Sequence, residues 1–413
     1  MGARISKMIK SRLTTSSVLT LIFCILLISC TPSTPSPSIP APSDTGTPMA
    51  DAARTAAPSE TAIVQTVPVF IRQRPIYILT GDWGVIEIAD LNEDGKPDVI
   101  ATTRTRFGIG LLLGHGDGTL DAAVDIEVAP SDYVVSADLD MDGHMDIVAA
   151  GEQLAVLIGN GDGSFKPPVY YPAGTNLAGA ELDLFGLDVA DLNADGVPDL
   201  IAANWGASRL AVLTGKGDGT FEPARLYACL TCVQIAAVDL DGDGDVDIAA
   251  TSFKPYEVEG RVLVFLNDGG LSNPVEFDPY GHAHAIAAGD LNGDGFIDIV
   301  TGNDGSLSVS VLLGTGAGTF SKASTYPAGN THTIALADID LDGNLDVLSG
   351  SIQDVKVWFY RGAGEGGLIQ TQGFKTDSAG GMAVVDLNGD GKLDLVLAIA
   401  GGSLQVVNVF LQQ

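Results

Sequence analysis

Basic side chains are what this chain lacks most: 21 Lys and Arg face 52 Asp and Glu, leaving a formal net charge of −31. Such a surface repels phosphate backbones and anionic headgroups, which removes nucleic acid and anionic membrane as partners. Cysteine is nearly absent as well, at four residues. Cys24 and Cys30 fall in the N-terminal apolar segment, so Cys229 and Cys232 are left two thiols short of an all-cysteine zinc site. There is no G-x-S-x-G, no H-E-x-x-H and no phosphate-cradling glycine loop. With them go the motif-based serine hydrolase, zinc protease and dinucleotide readings.

Aspartate is what the chain has in excess, and it comes in a fixed arrangement. The nonapeptide Asp90-Leu-Asn-Glu-Asp-Gly-Lys-Pro-Asp98 recurs with starts at Asp138, Asp191, Asp239, Asp290, Asp338 and Asp386, a period of about fifty residues that marks a repeat architecture. Each copy reads D-[LI]-[ND]-x-D-G-x-x-D. Side-chain oxygens at positions one, three, five and nine, with the position-seven carbonyl and a glycine at six for the sharp turn, converge on one hard cation. Calcium accepts such irregular all-oxygen sets, with water supplying the remainder.

The ligand sets are then Asp90, Asn92, Asp94, Lys96 and Asp98 in the first loop; Asp138, Asp140, Asp142, His144 and Asp146 in the second; and Asp191, Asn193, Asp195, Val197 and Asp199 in the third. The fourth has Asp239, Asp241, Asp243, Asp245 and Asp247, and the fifth Asp290, Asn292, Asp294, Phe296 and Asp298. Asp338, Asp340, Asp342, Asn344 and Asp346 form the sixth, and Asp386, Asn388, Asp390, Lys392 and Asp394 the seventh. An EF-hand requires glutamate at position twelve and flanking helices, whereas position twelve here is Ala, Thr, Ser or Leu. A metal-free Asp/Asn/Gly turn is the plainer alternative, but a bare turn has no use for three or four converging carboxylates repeated seven times.

Arg4, Lys7, Lys10 and Arg12 precede an apolar stretch from Val18 to Ile28, the layout of an export signal. Leu27-Ile-Ser-Cys30 resembles the bacterial lipoprotein box. That resemblance implies residues 1–30 as a signal peptide and Cys30 as the lipidated first residue of the mature chain. A transmembrane span is the alternative, for which the stretch is short. Met1-Gly2 with Ser6 also fits a myristoylation pattern, a coincidence given the signal behind it. Residues 31–66, rich in Pro, Ser, Thr and Ala, read as a disordered tether. The expected setting is the bacterial cell envelope, outward or periplasmic, with membrane contact only through the anchor.

Between acidic loops each period holds four short apolar runs divided by glycine turns. In the third period Leu187-Asp-Val-Ala enters the loop, Leu200-Ile-Ala-Ala leaves it, Leu210-Ala-Val-Leu follows, and Val169-Tyr-Tyr stands for the fourth kind. With these as strands A to D, the acidic loop is the A–B hairpin. A second turn joins C to D at Gly114-His-Gly-Asp-Gly-Thr-Leu, Gly159, Gly215 and Gly314, with irregular versions at Asn267 and Arg361 counted as the fifth and sixth. Seven four-stranded antiparallel units predict an all-β, seven-bladed, monomeric β-propeller over residues 67–413. Only B and C follow the seventh loop, so Arg74-Pro-Ile-Tyr-Ile-Leu-Thr-Gly is expected to complete the last blade and close the ring. The turn ending in Phe or Leu, paired with the acidic nonapeptide, resembles the FG-GAP (VCBS) repeat of integrin α-subunit heads and many bacterial surface proteins. The resemblance implies calcium in the A–B hairpins, up to seven ions, and leaves function open, because propellers host adhesion, sugar binding, scaffolding and hydrolysis alike.

With the loops and C–D turns on one face, the B–C loops and D-to-A connections form the other, where propeller relatives bind partners. Eight residues before each first aspartate stand Asp82, Pro130, Asp183, Thr231, His282, Asn330 and Ser378; six before, Gly84, Asp132, Phe185, Val233, His284, His332 and Gly380. These open the innermost strands and are expected to ring the channel mouth. Three histidines there invite a transition-metal reading, against simple hydrogen bonding to turn carbonyls. Trp83, Trp205, Phe253, Tyr256 and Asn303 suit stacking on a sugar or gripping a peptide, against packing between blades. The candidate ligand residues are Asp82, Trp83, Asp132, Asp183, Trp205, Tyr256, His282, His284, Asn330 and His332. Cys229-Leu-Thr-Cys232, on the same face of an exported chain, reads as a local disulfide.

The function expected is a calcium-stabilised cell-surface module that recognises a protein or glycan on the face opposite the loops. An exported enzyme acting on polysaccharide or another polymer, and a non-catalytic scaffold of an envelope complex, are the alternatives. No carboxylate pair outside the loops singles out glycosidase chemistry.

Overall fold

The computed structural model describes residues 68–413 apart from 74–76, 80–83, 103–107, 175–183, 254–258, 352–354, 372, 377–378 and 402–403. The signal, Cys30 and the tether lie outside the described residues, as do Asp82, Trp83, Asp183, Tyr256 and Ser378. Every regular element among the described residues is a β-strand.

The strands form seven antiparallel sheets, each a blade. The innermost strands are Ile86–Ala89, Ser131–Ala137, Leu184–Ala190, Cys232–Val238, Ala283–Gly289, Thr331–Ala337 and Gly381–Val385. Each packs beside the innermost strand of the next blade, and the seventh packs beside the first. Second strands such as Asp98–Thr102, Asp199–Asn204 and Asp298–Asn303 are buried at every residue. Neighbouring blades cover both of their faces, so their sequences run apolar rather than alternating. Fourth strands such as Val124–Glu127 are largely exposed.

Apolar cores lie between blades rather than within them. Leu139, Val148 and Leu154 of blade two pack with Leu187, Leu200, Leu213 and Phe221 of blade three. Across the closure, Ile86, Val99 and Leu112 of blade one pack with Val396, Val407 and Val409 of blade seven. The expected clasp is present and longer than the sequence indicated. Phe70–Arg72 and Tyr77–Leu79 both pair antiparallel with the third strand of blade seven, Leu404–Gln412. Arg72 donates to Asn408 Oδ1 at 2.7 Å, and Phe70 stacks on Phe374 of blade six with centroids 5.3 Å apart. The irregular turn at Asn267 belongs to the fourth blade rather than the fifth, and that at Arg361 to the sixth.

Five innermost strands open with a break in register against their second strand. The residues skipped are Asp132, Phe185, Val233 with Gln234, His284 and His332. A bulge leaves its residue out of the ladder and re-aims the side chain, and here it does so at one end of the channel in blade after blade.

Deleting residues 68–79 strips one edge of Leu404–Gln412. At about 1 kcal/mol net for each lost ladder bond, a loss of several kcal/mol is expected, seen as a lower melting temperature and as self-association through the opened edge on size-exclusion chromatography. An unchanged melting temperature would show that the clasp contributes nothing.

Candidate functional site: acidic loops and channel mouth

The seven acidic loops fold alike, because each side chain answers a particular backbone amide. The position-one aspartate takes the position-six N–H on one oxygen, as in Gly95 to Asp90 Oδ2 at 2.8 Å and Gly343 to Asp338 Oδ2 at 2.8 Å. Position five accepts from position seven, as in Phe296 N–H to Asp294 Oδ1 at 2.9 Å. Position six is glycine because φ there lies near +80° to +96°, with nothing within 4 Å to exclude a side chain. Position four is left-handed too. It is glycine in three loops, and Glu93, Met141, Ala194 and Leu341 fill it in the other four.

Position nine is buried in every loop: Asp98, Asp146, Asp199, Asp247, Asp298, Asp346 and Asp394 are at most 1% exposed. One oxygen takes the position-two amide of its own loop, as in Leu291 N–H to Asp298 Oδ2 at 2.9 Å. The other takes an amide at the C–D turn of the same blade, Gly314 N–H to Asp298 Oδ1 at 2.7 Å. The same pair of bonds recurs in all seven blades, with Asn267 and Gln412 supplying the second amide in blades four and seven. The sequence marks these residues as cation ligands; the structure also makes them the tie between the two turns of a blade.

Burial, then neighbouring carboxylates, raises all seven position-nine carboxyls above the ordinary aspartate range, against the pull of their amide donors. Asp346 is pushed up to about 6. In the second, fourth and sixth loops, ligand oxygens at positions one, three and nine lie within 4.8 Å of one another. Asp140 Oδ1 and Asp340 Oδ1 are buried with no hydrogen-bond partner.

At the other end of the inner strands lies a cavity of about 380 Å³, lined from all seven blades. Asp132, Phe185, Gln234, His284 and His332 face it, beside Gly84 of blade one and Gly380 of blade seven. Val233, expected there, is buried at 1% exposure, and Gln234 takes its place. Hydroxyls of the preceding blade hold the bulged backbones: Thr102 Oγ1 donates to Asp132 O at 3.2 Å and Thr251 Oγ1 to His284 O at 2.9 Å. The rings of His284 and His332 lie 5.2 Å apart, Phe253 sits 4.2 Å from His282, and Trp205 meets Phe185 edge-on at 5.8 Å. The histidines form no metal cluster. Among the described residues, groups of three or more close ligand atoms are confined to the acidic loops, and burial holds the His282 imidazole below its ordinary range. Asn330 is buried and accepts the Gly305 amide at 2.6 Å, so it caps a turn rather than facing the cavity.

The FG-GAP-like repeat matches residues 90–149, 138–202, 191–250, 239–301, 290–349 and 338–397, each match running from one acidic loop to just beyond the next. The chain belongs to the FG-GAP repeat family. Integrin alpha pat-2 of Caenorhabditis elegans is 24% identical over 236 residues, 47% of this chain and 18% of that relative, so the chain spans less than a fifth of the curated relative it matches. Among solved structures, it resembles an Agrocybe aegerita lectin specific for non-reducing terminal N-acetylglucosamine, with a TM-score of 0.52, 22% identity, and 72% of this chain and 81% of that one covered. It also resembles BBS1N in complex with ARL6DN, with a TM-score of 0.58, 12% identity, and 84% and 98% covered. At these identities the likeness is one of fold.

Inside the channel this FG-GAP propeller carries polar side chains that sequence reasoning missed. The inner edge of each innermost strand has no ladder partner, and side chains from the preceding blade answer its amides. Ser136 N–H donates to Glu87 Oε1, Ala237 N–H to Asp188 Oδ2 at 2.8 Å and Ile286 N–H to Gln234 Oε1. Gln234 Nε2 also donates to the Tyr133 hydroxyl at 3.1 Å, spanning from blade four to blade two. Burial raises the carboxyls of Glu87 and Asp188. For Glu87 and Asp188 a carboxylate three residues before a loop was the available signal, whereas Gln234 stands five before its loop. Cys229 and Cys232, both buried, are joined by a disulfide across the turn into blade four, with Thr231 left-handed between them.

In calcium-free buffer Asp298→Ala leaves two buried amides unpaired, at about 1–3 kcal/mol each. Urea unfolding should therefore show a loss of about 2–6 kcal/mol, and Asp294→Ala, exposed in the same loop, far less; equal losses would deny position nine its role as a tie. A folded carboxyl that titrates above its unfolded value makes the folded state the better proton binder between the two. Stability without metal is therefore fullest below about pH 4 and declines as pH rises through about 6. Chelated protein should melt higher at pH 5 than at pH 7.5, and the reverse order would refute the burial argument.

Proposed function

We propose that this propeller is an exported binding module whose acidic loops hold calcium at one end of the channel while the other end recognises a protein or glycan. The observation that carries the reading is the cavity: five bulges aim five different side chains into one space lined by every blade. The likeness to integrin alpha supports a binding module. The N-terminal signal, Cys30 as the lipid anchor and residues 31–66 as the tether would place the module at the cell envelope.

The donor sets favour calcium. They are wholly oxygen, which suits hard cations and not thiophilic metals, and Asp140 of the second loop presents a buried oxygen with no hydrogen-bond partner. Residues at positions one, three, five and nine would hold the ion, with the position-seven carbonyl. The ion would supply positive charge that offsets the burial of the position-nine aspartate. Seven-residue inner strands set loops and mouth roughly 20 Å apart, so the metal acts on the ligand only by fixing the blades.

Removing calcium with excess EGTA, with loss of metal confirmed by elemental analysis, should lower the melting temperature markedly by linkage. Calcium-loaded mature protein, screened against glycan arrays and envelope proteins, should yield a ligand whose affinity falls about tenfold or more in Asp132→Ala and His284→Ala, with calcium content intact. Binding that survives both changes would put the ligand elsewhere.

A further inference from the structure

The residue just before the C–D turn amide that binds position nine is Leu113, Ile158, Thr214, Leu266, Leu313 or Leu411 in six blades; in blade six it is Arg361. Packing explains why charge is admissible there. The turn glycine of the following blade normally sits on this side chain: a Cβ on Gly219 would come 2.5 Å from Ile158, on Gly318 2.4 Å from Leu266, on Gly366 2.4 Å from Leu313, and on Gly118 2.8 Å from Leu411. Blade seven has no such turn. Its third strand, Leu404–Gln412, pairs with Phe70–Arg72, and Gln412 Nε2 reaches Ile339 O at 3.0 Å, where other blades use a turn glycine amide. With no glycine turn above it, the Arg361 side chain turns toward its own acidic loop.

Its guanidinium Nε lies 3.4 Å from Asp340 Oδ2 and 3.4 Å from Asp342 Oδ2, positions three and five of the sixth loop. The three side chains are 23%, 9% and 16% exposed, so water screens the contact little. We infer that Arg361 is a built-in counter-ion for the sixth loop, and that this loop stays without calcium at concentrations that fill the other six. The inference rests on the proposed calcium reading of the loops. A guanidinium is charged at every accessible pH. An ion entering between the same two carboxylates meets a fixed positive charge and finds the ligand charge on which such sites depend already balanced. The other loops differ. Lys166 reaches Asp140 Oδ2 only at 3.7 Å from a side chain 55% exposed, and Lys96 beside Asp94 is 41% exposed; both ammonium groups can swing into water. No ion pair reaches the fourth loop among the described residues, although it carries five aspartates.

Calcium equivalents per chain, measured on the intact protein by elemental analysis after equilibration at fixed free calcium, should be six in the wild type and seven in Arg361→Leu, with a larger calcium-induced rise in melting temperature in the variant. Seven in the wild type, or equal numbers in the two proteins, would overturn the inference and leave the calcium reading standing. None in either would overturn the calcium reading itself. Should Arg361→Leu fail to fold, Asp241→Asn and Asp340→Asn decide: the first should lose one equivalent and the second none, and a loss in the second would overturn the inference.

Discussion

In each blade a carboxylate shut away from water accepts two backbone amides that are far apart in the chain and adjacent in space. Asp298 joins the amide of Leu291 to that of Gly314, and its six counterparts do the same. Its residue also opens the second strand, the one buried on both faces. The hairpin, the second turn and the packing plane of a blade therefore meet at a single side chain. Two amides do not fully compensate a buried negative charge, which is why all seven carboxyls sit above their ordinary range. A divalent cation among the same oxygens would offset that penalty, and in the sixth loop the Arg361 guanidinium already stands beside Asp340 and Asp342.

From this tie the constraint passes to the neighbouring blade. The position-two carbonyl of a loop looks toward the next blade and must find a donor there. The amide of a turn glycine serves in three cases: Gly118 to Leu387 O, Gly163 to Leu91 O and Gly219 to Leu139 O. Where the turn is shortened, Asn267 Nδ2 does it at 2.7 Å to Leu192 O, and where the turn is replaced by the clasp, Gln412 Nε2 does it to Ile339 O. Irregular turns are thus not decayed copies. The turn at Asn267 and the clasp at Gln412 meet the same demand with a side-chain amide because their backbone runs elsewhere, and the ring closes although its last blade is built from both ends of the propeller.

The loops, the blade number and the closing strand were legible in the sequence because the physical options there are few. A glycine at φ above +70° between paired acids, repeated at one period, has little use besides a tight oxygen-lined turn. The mouth positions were legible by counting, since inner strands have nearly constant length, and the count slipped where blade four skips two residues instead of one and turns Gln234 rather than Val233 to the channel. What could not be read was any role that depends on the partner blade. Glu87, Asp188 and Gln234 look like ordinary strand residues until the next blade's unpaired amides stand opposite them. Arg361 looks like a damaged turn until blade seven is seen to leave the space above it open. Asn330, a polar side chain near the mouth, gave no sign that a turn amide had already claimed it.

The two ends of the channel show how a repeat separates stability from specificity. At the loops every blade faces the same electrostatic problem and solves it with the same residue, so position nine is aspartate seven times. At the mouth the corresponding bulge demands only that a side chain leave the ladder. The residues six before each loop are accordingly Gly, Asp, Phe, Val, His, His and Gly. Rings crowd the side formed by blades three to six, where Phe185, Phe253, His284 and His332 lie, while glycines at blades seven and one leave the opposite side bare. The mouth therefore presents ring surfaces on one flank and glycine backbone on the other, a difference set by the residues at the bulges. Because the strands beneath are locked from the far end, that surface can differ from blade to blade without the ring losing its shape.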